Sequence, residues 1–144
     1  MLDDLGERVE KQSVELTIRN MRTGMRLAMG EALMHQQEAD IATWAGGNPV
    51  RWLGSPPAGY RGECEGEARQ DLPKGEWCFD PRRRELLYRP YNTDHLRAPS
   101  SGGEDICSVL RWRVARAPEA LISGGFAGLR LETASLCEWL AERQ

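Results

Sequence analysis

The stretch from Leu2 to Gln37 holds no proline and is built mainly from Glu, Arg, Leu, Met and Ala, residues that lose little on entering a helix. One long N-terminal helix over residues 2–37 is the expectation that most constrains the fold. Val14, Ile18, Met21, Met25, Ala28 and Ala32 step by threes and fours. At about 100° per residue they fall on one stripe, with Met29 beside it, the face that should lie on a sheet or another helix. Leu2, Leu5, Val9, Leu16, Leu27 and Met34 form a second set nearly opposite the first. One domain cannot easily bury both sides of a helix.

The second set therefore implies two roles for the helix. Its C-terminal half packs on its own domain, and its first dozen residues meet neighbouring subunits. Leu2, Leu5 and Val9 lie upstream of the first stripe, so the opening turns are expected to have no domain of their own to pack on. Arg8, Glu15, Arg19, Arg22 and Arg26 on the flanks read as a solvated surface, with Glu15 and Arg19 an i,i+4 pair.

After the helix the sequence turns to glycine and proline. Residues 41–74 read as an irregular loop whose apolar anchors are Trp44, Val50, Trp52, Leu53 and Tyr60. Loops of that length in a compact domain tend to be ordered functional segments or disordered ones, and the interleaved aromatics argue for an ordered loop laid over the core. In "GEWCFDPRRRELLYRP", residues 76–79 and 85–89 read as a β-hairpin whose turn opens at Asp80-Pro81. Arg82, Arg83 and Arg84 crowd that turn and could make a surface contact. "SVLRWRVARA" alternates Leu110, Trp112 and Val114, with Ile106 on the same side, against Arg111 and Arg113. That is a half-buried strand with its arginine face toward water. "LRLETA" is a fourth strand, and residues 134–144 form a tail docked as a short turn through Leu136, Trp139 and Leu140. The chain is thus expected to be one α+β domain, residues 1–144, with the long helix on a four-stranded antiparallel sheet spanning 76–133.

Cys64, Cys78, Cys107 and Cys137 lie singly, separated by 14, 29 and 30 positions. Without a close Cys or His pair they do not suggest zinc, and an even, unclustered set suggests two disulfides. Four cysteines allow three connectivities. The expectation taken is Cys64 with Cys78, clipping the loop to the first strand, and Cys107 with Cys137, tying the third strand to the tail. Disulfides point to an oxidising compartment, yet no signal peptide or spanning apolar run is present. The sequence accordingly reads as a truncation of an exported protein.

Several functional classes are disfavoured. With 19 Lys+Arg against 22 Asp+Glu there is no bulk basic field for nucleic acid, leaving only a local patch at Arg82, Arg83, Arg84 and Arg89. His35 and His95 have no nucleophile motif around them, so catalysis is not expected, and nothing in the residues calls for a cofactor.

The helix "ERVEKQSVELTIRNMRTGMRLAMGEAL" followed by "GGNPVRWL", "PPAGY", "WCFDPRRRELLYRP", "LRWRV" and "GLRLETA" resembles the soluble part of type IV pilin-like proteins, the superfamily of pilins, minor pilins and type II secretion pseudopilins. The likeness runs from Leu2 to Trp139. It implies a structural subunit, made with a cleaved leader, a methylated N-terminal residue and an apolar half-helix. That half-helix anchors the subunit in the bacterial inner membrane and then packs in a filament with other pilin or pseudopilin subunits. Such filaments serve adhesion, motility, uptake or secretion. Leu2, Leu5 and Val9 would belong to that packing. Four cysteines, where major pilins commonly carry one disulfide, favour a minor pilin or pseudopilin. Calcium sites of some pseudopilins would map here to Asp94, Glu104 and Asp105, which lack a regular ligand spacing. The alternative is a secreted or periplasmic binding module or adhesin that uses the Trp44 to Tyr60 loop.

Overall fold

The computed structural model describes residues 2–93, 96–97, 107–122, 126–135 and 137–139. Helix α1 (Leu2–Met34) is roughly 50 Å long at 1.5 Å per residue. It stops three residues short of the expected end. Gln36 adopts φ 58°, the Gln36 amide donates to the Leu33 carbonyl, and the Gln37 amide donates to the Ala32 carbonyl. This is a Schellman ending, with glutamine at the left-handed position where glycine is usual.

The region read as an irregular loop contains short regular elements. These are α2 (Glu38–Thr43), a 3-10 turn (Pro49–Trp52), β1 (Tyr60–Glu63) and α3 (Glu67–Gln70). Asn48 caps the 3-10 turn, its Oδ1 accepting from the Val50 amide and its Nδ2 donating to the Tyr60 hydroxyl at 2.8 Å. Then follow β2 (Trp77–Asp80), β3 (Glu85–Tyr88), β4 (Leu96–Arg97), β5 (Leu110–Ile122), β6 (Phe126–Thr133) and β7 (Glu138–Trp139).

The main sheet has five strands in the order β1-β2-β3-β5-β6. It is mixed rather than antiparallel throughout, which corrects the four-stranded expectation. β1 runs parallel to β2, pairing Tyr60 with Trp77 and Glu63 with Phe79. Four residues, "YRGE", with Gly62 at φ 90°, are too few to show a period of two. The tail does not dock as a turn either: β7 pairs with β4 in a separate two-stranded sheet, Leu96 opposite Trp139. Leu136, Leu140 and Ile106 lie outside the described residues.

Val14, Ile18, Met21, Met25, Met29 and Ala32 of α1 are buried against Trp77, Phe79, Leu86, Tyr88, Leu110, Trp112, Val114, Leu129 and Leu131. The sheet supplies these through every second position of its strands. Trp77 anchors the layer, with ring centroids 4.6 Å from Tyr88 and 5.6 Å from Trp112. Side chains of this size contribute about 1.5–3 kcal/mol each on full burial, so the α1 face and the aromatic layer hold the domain together.

All residues of β2 and β3 are buried on both faces. A parallel pair needs a crossover, and here the connection from β1 to β2 lays α3 and Leu72 on the face away from α1. Cys64, Leu72, Cys78 and Leu87 form a second, smaller core there.

Candidate functional site

The face of α1 opposite the sheet carries the second apolar set. Leu5, Val9, Leu16, Leu27 and Met34 are 51–82% exposed, whereas Val14, Ile18 and Met21 on the other side are at most 4% exposed. At about 100° per residue the exposed five project within roughly 40° of one another. Leu2 opens α1, but its side chain lies outside the described residues.

The opening turns are nevertheless held by their own domain, through polar groups that the apolar pattern did not reveal. Glu7 is 1% exposed and its Oε2 accepts from the Trp139 indole at 2.7 Å. The Glu10 carboxylate accepts from the Tyr88 hydroxyl at 2.5 Å and from the amides of Tyr91 and Asn92. Burial, then the Glu10 hydrogen bond and charge, raise the Tyr88 pKa well above that of an ordinary phenol. Glu15 pairs with Lys11 at 2.9 Å rather than with Arg19. Arg22 is no solvated flank: its Nη2 donates to the Leu131 carbonyl at 2.8 Å. These contacts fix the α1 face on the sheet from Glu7 onward and aim Leu5 and Val9 outward.

Of the three cystine pairings open to the sequence, the structure has Cys64–Cys78 and Cys107–Cys137, with Cα separations of 5.8 and 6.0 Å. The first holds the crossover against β2. The second joins the segment entering β5 to the one entering β7.

On the back face, Arg111 and Arg113 do not simply look at water. Both donate to Oε2 of Glu85 at 3.1 Å, and Arg69 of α3 reaches Glu85 Oε1 at 3.0 Å and Asp80 Oδ2 at 2.6 Å. The Glu85 side chain is 4% exposed, a carboxylate made tolerable inside the protein by three guanidiniums. Asp80 Oδ1 accepts from the amides of Arg82 and Arg83. Burial works to raise the Asp80 pKa, but the Arg69 hydrogen bond and the two amides outweigh it and hold the carboxyl below an ordinary aspartate. Sequence reasoning put Arg111 and Arg113 on a solvent face and Asp80 at a turn, and it had no means of finding Arg69, which arrives from the crossover.

Arg82, Arg83 and Arg84 form the exposed β2–β3 turn. Arg84 is left-handed at φ 58° and its Nη1 lies 3.4 Å from the Gly46 carbonyl, tying the turn to the loop after α2. Arg89 is not part of this patch; it lines a groove on the back face. In the Trp44 to Tyr60 loop the aromatics are engaged internally. Trp44, Trp52 and Tyr60 pack against the main core, and the Arg51 guanidinium sits 5.5 and 5.7 Å from the Trp44 and Trp52 rings.

Asp94, Glu104, Asp105 and His95 lie outside the described residues. Among the described residues no group of three or more His, Cys, Asp or Glu side chains converges to hold a metal, and no helix is long and apolar enough to cross a membrane. The two disulfides suit an oxidising compartment. No family model, curated protein or solved structure matches the chain.

Proposed function

We propose that this chain is the globular part of a filament subunit of the pilin-like kind, a minor pilin or pseudopilin anchored in the inner membrane through an apolar helical segment. It acts by assembly rather than catalysis. The observation that carries this reading is the division of α1. One face is locked on the sheet by Met21 and its neighbours and by the Glu7 and Glu10 hydrogen bonds, while the opposite face presents Leu5, Val9, Leu16, Leu27 and Met34 to solvent. A helix apolar on two sides packs one of them against another molecule. In a filament the helices bundle and the sheets face outward, leaving the β2–β3 turn and the back face as the surface met by partners in adhesion, motility, uptake or secretion. The disulfides fit a subunit that folds outside the reducing cytoplasm.

The test is to introduce Leu16→Glu and Leu27→Glu in the producing cell. Exposed positions tolerate such changes within about 0.5 kcal/mol, so each purified variant should melt like the parent. Incorporation into the filament fraction should fall about tenfold, the effect of roughly 1.4 kcal/mol lost at an interface. Folded variants that incorporate like the parent would overturn the proposal.

A further inference from the structure

A groove of ≈ 520 Å³ opens on the back face of the sheet, away from α1, and its lining includes Arg69, Gln70, Arg89, Ser108, Val109 and Arg111. Leu72 and Leu87 of the smaller core and the Cys107–Cys137 disulfide complete it. Among the described residues no carboxylate lines this groove. Asp80 and Glu85 are buried and paired with Arg69, Arg111 and Arg113, whereas Arg89 has no acidic partner among the described residues. Among these described side chains the guanidiniums of Arg69, Arg89, Arg111 and Arg113 outnumber the two carboxylates.

The donors are positioned and only partly used. Arg111 spends Nη1 on Glu85, and Arg89 spends Nη1 on the Leu72 carbonyl at 2.9 Å. A guanidinium carries five N–H donors in a rigid fork, so Nε and Nη2 of both are uncommitted among the described residues. Arg69 is only 18% exposed and is oriented by Asp80 and Glu85; it contributes charge from a fixed position. Fixed guanidiniums select carboxylates by paired hydrogen bonds, and two disulfides hold the walls in place. The groove of ≈ 490 Å³ between α1 and the sheet differs. Lys11 is engaged there by Glu15 and Arg22 by the Leu131 carbonyl, and the Glu15 carboxylate itself lines it.

We propose that the back-face groove binds organic carboxylates with a small apolar body, the carboxylate held by Arg89 and Arg111 and the apolar part set against Val109, Leu72, Leu87 and the disulfide. This site is independent of filament assembly, since it uses none of the α1 face, and it would stand if that reading fell.

The probe is N-acetyl-leucine, titrated into the oxidised protein and followed by calorimetry and by amide NMR shifts, with uncharged N-acetyl-leucinamide and inorganic sulfate as comparisons. The expected result is saturable binding that shifts the amides of Gln70, Ser108 and Arg111, with the amide analogue and sulfate each at least about tenfold weaker, a loss of one charged hydrogen-bonding pair or of the apolar contact. Arg89→Gln, compared at a temperature where it is fully folded because it also alters the bond to the Leu72 carbonyl, should weaken N-acetyl-leucine by a similar factor, and Arg89→Lys should recover part of it. Absence of saturable binding, equal binding of acid and amide, sulfate binding as tightly as the acid, or shifts confined to another face would each overturn the proposal. Should Arg89→Gln fail to fold, the acid, amide and sulfate comparison on the unaltered chain still decides.

Discussion

The indole of Trp139 donates to the Glu7 carboxylate at 2.7 Å, joining residues 132 positions apart and closing the tail onto the first turns of α1. Glu7 is buried, so the bond is made where water competes poorly. Trp139→Phe keeps the ring and removes the donor. It should destabilise the fold by about 1.5–3 kcal/mol, the range for a hydrogen bond to a charged group, measured by urea unfolding. A change below about 0.5 kcal/mol would show that the bond does not hold the tail.

Gly24 faces the 3-10 turn so closely that a Cβ there would overlap the Trp52 carbonyl oxygen. Gly24→Ala should therefore destabilise by about 1–3 kcal/mol, the cost of overpacking, although alanine is the better helix former. A gain in melting temperature would contradict this packing of the turn on α1.

Gln36 ends α1 in the left-handed region, which costs a residue with a Cβ about 1 kcal/mol relative to glycine. Gln36→Gly should raise stability by up to about 1 kcal/mol with no other change in the circular dichroism spectrum.

Much of this architecture could be read from residues, and the misses have physical causes. The α1 stripe from Val14 to Ala32, the hairpin of β2 and β3, and the alternation of Leu110, Trp112 and Val114 follow periods that sequence displays directly. β1 did not show, because four residues with a glycine carry no period. Nor did the Glu7 and Glu10 contacts, because a charged residue reads as solvated unless its distant partner is known. Arg69 and Glu85 meet only through the crossover, a tertiary fact. The exposed apolar set on α1, Leu5, Val9, Leu16, Leu27 and Met34, was legible as a pattern.

Glu85 is the carboxylate on which Arg69, Arg111 and Arg113 converge. Glu85→Gln leaves three guanidiniums with a neutral acceptor. Removing one partner of a buried pair costs about 3–5 kcal/mol, and the partial exposure of Arg111 and Arg113 puts the expected loss at about 3 kcal/mol. Unfolding midpoints in urea check it.

The Asp80 pKa lies below its ordinary value, and unfolded aspartates take up protons near pH 3.9. Below that pH the unfolded chain binds protons that folded Asp80 still refuses, so stability present at neutrality should be lost as pH falls through the folded pKa. Asp80→Asn should be less stable than the parent at neutral pH and show a flatter acid limb when melting temperature is followed down to about pH 3. Parallel curves for the two proteins would contradict a depressed Asp80.

The assembly account is tested most directly by placing a photo-crosslinking phenylalanine analogue at Leu16, on the exposed side of α1, in the producing cell. Irradiation should yield a ladder of covalent multimers joined through the N-terminal helices of neighbouring subunits, with the crosslinked peptides identified by mass spectrometry. A folded protein that remains monomeric after irradiation would contradict assembly through this face.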